Sequence, residues 1–66
     1  MKIAYYGADT FGRPTVMIAQ EYRSNQRPGW SRSVTERFIH ADTIEGAAAL
    51  AASLKASGEV QIARAL

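Results

Sequence analysis

Only one stretch of the chain reads with a helical period, DTIEGAAALAASLKASG from Asp42 to Gly58. Ile44, Ala47, Ala48, Ala51 and Leu54 recur at the spacing of one helix face, with Leu50 beside them. Asp42 to Glu45 has the spacing of a capping box, in which the Asp42 side chain accepts from an amide one turn in and Glu45 reaches back to the cap. Gly58 supplies a left-handed stop, and Lys55 suits the negative end of the helix dipole. The alanines let the helix axis lie close to whatever it covers, although each buries little area. A single helix covers only one face of a sheet, so the other face stays open.

The remaining segments alternate with the period of strands. Lys2 to Ala8 (KIAYYGA) predicts a first strand with Ile3 and Tyr5 on one face and Lys2, Ala4 and Tyr6 on the other. Asp9 to Pro14 (DTFGRP) is a turn signature that makes a hairpin. Thr15 to Arg23 places Val16, Ile18, Gln20 and Tyr22 opposite Thr15, Met17, Ala19, Glu21 and Arg23. A loop, SNQRPGWSR, leads to a third strand over Ser33 to Ala41. There Val34, Glu36 and Phe38 share one face and Thr35, Arg37 and Ile39 the other, so one face is mixed. A fourth strand, Glu59 to Leu66, turns Val60, Ile62 and Leu66 inward and Glu59 and Gln61 outward. The fold expected is α+β: a four-stranded, mainly antiparallel sheet in the order β-β-β-α-β, with one helix on one face. Its open face would carry Lys2, Tyr6, Met17, Glu21, Arg23, Thr35, Arg37 and Gln61.

Composition narrows the function. Sixty-six residues hold a single domain, residues 1–66, at a size where one core is barely sufficient, and no cysteine is present to add a disulfide or a thiolate metal site. Eight Lys and Arg against six Asp and Glu leave a charge of +2, too mild to imply nucleic-acid binding by itself. His40 is the sole histidine, the carboxylates are scattered, and Ser24, Ser31, Ser33, Ser53 and Ser57 lack a nucleophile-elbow setting. The glycines are too dispersed for a phosphate loop. No metal, no cofactor and no enzymatic activity is therefore expected. No basic segment followed by an apolar run opens the chain, and Gly46 to Leu54 is too short to span a bilayer, so a cytoplasmic location in a bacterial host cell and no membrane contact are expected.

What remains is a basic, aromatic loop. Four arginines, Arg23, Arg27, Arg32 and Arg37, fall between positions 23 and 37, opposed there only by Glu36. Trp30, the only tryptophan, follows the Pro28–Gly29 turn in QRPGWSRS, and Tyr6 and Tyr22 are its candidate neighbours. Trp, Tyr and Arg are the residue types enriched at binding hot spots, and Arg forms bidentate contacts with carboxylate or phosphate. Arg23, Arg27, Trp30, Arg32, Arg37 and Tyr6 are the candidate contact residues. Equally compatible with the sequence is a Trp30 that folds onto the sheet edge among solvated arginines.

Thr35 to Ala56, TERFIHADTIEGAAALAASLKA, resembles the end of the AP2-like DNA-binding domain at the amino terminus of phage integrases, with Phe38, Asp42 and Ala48 at its aromatic, cap and small-residue positions. That resemblance implies a sheet laid against DNA. By size and architecture alone, the chain also looks like the small phage and mobile-element proteins that block bacterial defence, of the anti-CRISPR kind. This second resemblance implies a non-enzymatic inhibitor that occludes a site on a bacterial protein or nucleoprotein complex stoichiometrically. A small DNA-binding accessory domain using its sheet face and Arg/Trp loop is the alternative. The open face also admits a homodimer, with two sheets packed face to face over Met17 and Tyr6.

Overall fold

A computed structural model describes residues 1–23, 26, 29 and 31–66 of the chain. The element order is β1 (Lys2–Ala8), β2 (Pro14–Arg23), β3 (Ser31–His40), α1 (Ile44–Ala56) and β4 (Ile62–Ala65). The four strands form one sheet in the order β3-β2-β1-β4. β1 pairs antiparallel with β2, β2 antiparallel with β3, and β1 parallel with β4. The α+β architecture expected from the sequence is therefore observed. Its one parallel pairing arises because the chain leaves β3 at one edge, crosses through α1 and returns at the opposite edge.

Local chemistry fixes the connections. Asp9 Oδ1 accepts from the amides of Phe11 and Arg13, both at 2.9 Å, and this Asx-type closure with Gly12 at φ +79° makes the β1–β2 turn. Pro14 sits at the first position of β2, where a missing N–H interrupts no central ladder. The helix begins one residue later than the expected capping box. Thr43, extended at φ −138°, is the cap, and its Oγ1 accepts from Gly46 N at 2.9 Å. Asp42 is thus not the cap, and Glu45 lies in the first turn, where its charge meets the helix dipole.

At the other end Gly58, at φ +84°, donates to Lys55 O while Glu59 N donates to Leu54 O. These two bonds make a Schellman motif, and Val60 then drops into the core beside Leu54. That descent consumes residues 59 to 61, so β4 is shorter than expected and starts at Ile62.

The core lies between α1 and the sheet: Ala4, Val16, Ile18, Ala47, Ala51, Leu54 and Val60. Tyr6, Ile39, Ala41, Leu50 and Ala63 pack around it. Ala47 and Ala51, both fully buried, bring the helix backbone close to β1 and β2. Because Ala4 and Tyr6 belong to this core, the phase expected for β1 is reversed. Ile3 and Tyr5 point to the face away from the helix, and Lys2 and Tyr6 lie on the covered side. Alternation alone could not separate two apolar faces. Pairing does, since Ala4 lies opposite Ile18 and Ala63.

Candidate binding surface

α1 lies over β1, β2 and β4, and β3 sends only Ile39 to the margin of the core. β3 is ten residues long and paired along its length with β2, yet nine of the ten are exposed. Glu21 still bonds Met1 through its amide and carbonyl, and beyond it the pairs Tyr22 with Arg32 and Arg23 with Ser31 extend past β1 as a two-stranded ribbon.

A bulge explains the mixed face of this strand. Ile18 pairs with Arg37 but Ala19 pairs with Thr35, which leaves Glu36 as an extra residue. Arg37 and Ile39 therefore fall on the helix side, and Phe38 and Thr35 on the open side. The expectation that Thr35 and Arg37 share a face is corrected accordingly. Glu36 also turns to the helix side, where its carboxylate is 3.4 Å from Lys2 Nζ. Beside it Arg37 stands 4.0 Å from Glu59, and these four groups rim a cleft of about 260 Å³ floored by Ile18 and Val60. Both ion pairs are solvent-exposed and each contributes only about 0–1 kcal/mol.

The contact residues expected from the sequence are not gathered in one place. Arg23 is on the open side of the ribbon, whereas Arg32 is on the opposite side, with its guanidinium carbon 5.6 Å from the centroid of the Tyr22 ring. That distance is within the range of a cation–π contact. Arg37 is engaged by Glu59. Tyr6 is half-buried against the core on the helix side and does not belong to the open face, contrary to expectation. Arg27 and Trp30 lie outside the described residues.

Compared with known families, curated proteins and solved structures, the chain finds no match. Its surface must therefore be judged from its own chemistry.

The open face follows from the registers. One row across the sheet reads Phe38, Met17, Tyr5, Arg64, and the next Thr35, Ala19, Ile3, Ile62. Leu66, expected inward, is exposed. Tyr5 and Ile62, also expected inward, lie on this surface instead, and Phe38 was not singled out in the sequence as part of it. The signal that finds them is the pairing of Ala4 with Ile18, which sends Ile3 and Tyr5 outward. At one end of the face, His40 Nδ1 is 3.2 Å from the buried Thr15 Oγ1, and Asp9, Thr10, Phe11, Phe38 and His40 line a shallow cleft of about 290 Å³. Two amides and the nearby Arg13 hold the Asp9 carboxyl below its ordinary pKa; the largest contribution is the bond from Arg13 N. Among the described residues, no group of three His, Asp or Glu side chains could hold a metal ion. No helix among them is long and apolar enough to cross a membrane.

Proposed function

We propose that this chain is a non-enzymatic binding protein whose contact element is the β2–β3 ribbon and the Arg/Trp loop that joins its strands. One observation carries it: β3 is a ten-residue strand, paired with β2 at every position but Glu36, that contributes almost nothing to the core. A strand that buries so little does little for stability, so a surface role accounts for it better. Arg32 with Tyr22, and Arg23 on the other side, equip the ribbon with residue types enriched at protein interfaces.

The mode of action we infer is stoichiometric occlusion of a bacterial protein or nucleoprotein complex, as in small anti-defence proteins. A protein surface is preferred over duplex DNA as the target. Lys2 and Arg37 each lie within 4.0 Å of a carboxylate, which reduces the cationic field that phosphate binding needs. The test is comparative capture from bacterial lysate, using the full chain and an Arg23→Glu/Arg32→Glu variant whose thermal transition is unchanged. Loss of a stoichiometric partner in the variant supports ribbon binding. Identical capture by both proteins removes the ribbon from the contact. Affinity for plain duplex DNA that falls steeply with salt would instead favour the DNA-binding alternative.

A further inference from the structure

We propose that a second copy of this chain packs on the face of the sheet that α1 leaves open. This goes beyond ribbon binding and does not depend on it. The face is apolar at its centre: Phe38, Met17 and Tyr5 form one row, with Ile3, Ala19 and Ile62 in the next. Ile3 is 1% exposed and Ala19 2%, although neither belongs to the core under the helix. In the registers they lie among the half-buried Met17, Tyr5 and Ile62 on the face that α1 does not cover. In effect the molecule has a second, incomplete core.

The area is consistent with a missing layer. The chain exposes 4728 Å². A compact monomer of 7.2 kDa exposes about 4,100 Å². Part of the excess, roughly 600 Å² by that scaling, belongs to the ribbon. The radius of gyration, 12.6 Å, likewise exceeds the roughly 11 Å of a compact chain of this length. Strands of 7, 10, 10 and 4 residues, at about 3.3 Å rise and about 4.8 Å spacing, give a face of roughly 500 Å² in projection. Side-chain relief raises the accessible area above that projection, toward the size of a weak, micromolar interface of about 600 Å² per partner.

The occupant is a second copy for two reasons. The rim carries both signs, Glu21 with Arg23 and Arg64, around an uncharged centre, so two identical faces meet without a single-signed field between them. The helix-side core is also small, with Ala4, Ala47 and Ala51 among its seven buried members, and domains of this size commonly need oligomerisation. A cover on this face adds the burial that so small a core lacks, and the partner present from synthesis onward is another copy. The exposed edge of β3 is a poorer docking site, because the Glu36 bulge interrupts regular strand addition.

Sedimentation of the full chain from about 1 to 500 µM tests this, a span that brackets a micromolar dimer. The expected result is a species of twice the 7.2 kDa chain mass. Phe38→Lys, at a residue 58% exposed in the isolated chain, should raise the dimer dissociation constant about tenfold or more. Val34→Lys, on the helix side of β3, should not change it. Since the chain has no cysteine, Met17→Cys provides an independent readout: it should oxidise to a covalent dimer faster than Lys55→Cys on the helix. A wild-type monomer at the highest concentration overturns the proposal, as does equal oxidation of the two cysteine variants. A monomer that instead acquires a heterologous protein on this face, lost with Phe38→Lys, also overturns it. Because Phe38→Lys leaves Arg23 and Arg32 in place, failure of the dimer and failure of ribbon binding are separable.

Discussion

β1 and β3 are both antiparallel partners of the same strand, β2, yet one is largely buried and the other almost wholly exposed. Their ladders with β2 do not distinguish them, although β1 is central and pairs also with β4 while β3 is an edge. What differs is the layer above: α1 sits over β1 and stops short of β3. Opposite Ala19, Ile18 and Val16, β1 places Ile3, Ala4 and Tyr6, and β3 places Thr35, Arg37 and Ile39. Pairing organises a strand, but apolar burial is what makes the rest of the fold depend on it.

The largest expected effect breaks the covered side. Leu54 joins the last turn of α1 to Val60 and the sheet, so Leu54→Ala should cost about 2–5 kcal/mol in chemical denaturation. Val34→Ala, on exposed β3, should cost less than about 0.5 kcal/mol. Equal losses would mean that β3 belongs to the core after all. A smaller effect concerns how α1 is placed over β1. Thr43→Ala removes the acceptor for Gly46 N and should cost about 1 kcal/mol. Asp42→Ala should cost a few tenths at most, since its side chain is not the cap. The reverse order would restore the capping box read from the sequence.

Smaller again is a pH-dependent term at the turn between β1 and β2. Asp9 has a lowered pKa in the folded chain, chiefly from the Arg13 amide, so its carboxylate stabilises the fold above the unfolded-state pKa. That contribution is lost as pH falls through the folded value. Wild type should therefore exceed Asp9→Asn in stability near neutral pH, with the gap closing in acid below the ordinary aspartate range. Thermal unfolding of both proteins between neutral and strongly acidic pH measures it, and a gap that widened in acid would contradict the sign.

The covered region was more legible in the sequence than the exposed one, for physical reasons. Helical spacing of Ala47, Ala51 and Leu54, the Gly58 stop and the Asp9–Pro14 turn all reflect short-range rules, and α1 and the hairpin follow them. Two things did not follow from spacing. In β1 both faces are apolar, so the choice between Tyr5 and Tyr6 was made by register with Ile18 and Ala63, which is a property of the assembled sheet. In β3 the alternation itself is interrupted, and a bulge leaves no mark in sequence beyond a charged Glu36 in phase with the apolar Val34 and Phe38. The candidate contact residues suffered accordingly: Arg23 and Arg32 divide between the two sides of the ribbon, and Arg37 is drawn to Glu59.

The same bulge gives the subtlest test of the contrast between β1 and β3. If Glu36 is an extra residue, deleting it preserves every other pair: Arg37 stays opposite Ile18, Thr35 opposite Ala19 and Val34 opposite Gln20. Only the exposed contact with Lys2 is lost, and the strand becomes regular. The deletion should therefore change stability by less than about 1 kcal/mol, far below the usual consequence of removing a residue from a strand. If β3 instead paired without a bulge, the deletion would move its first five residues to the opposite face and shift their register. Removing Ala4 from β1 is the counterpart, because there a one-residue slip exchanges the core face for the open face and should unfold the chain. Chemical denaturation of the two deletions side by side decides the matter: tolerance at Glu36 with collapse at Ala4 is expected, and collapse in both would place β3 within the cooperative core. Loss of the bulge should also leave β3 a flatter edge, more prone to strand addition, so the Glu36 deletion should form higher oligomers that the full chain does not.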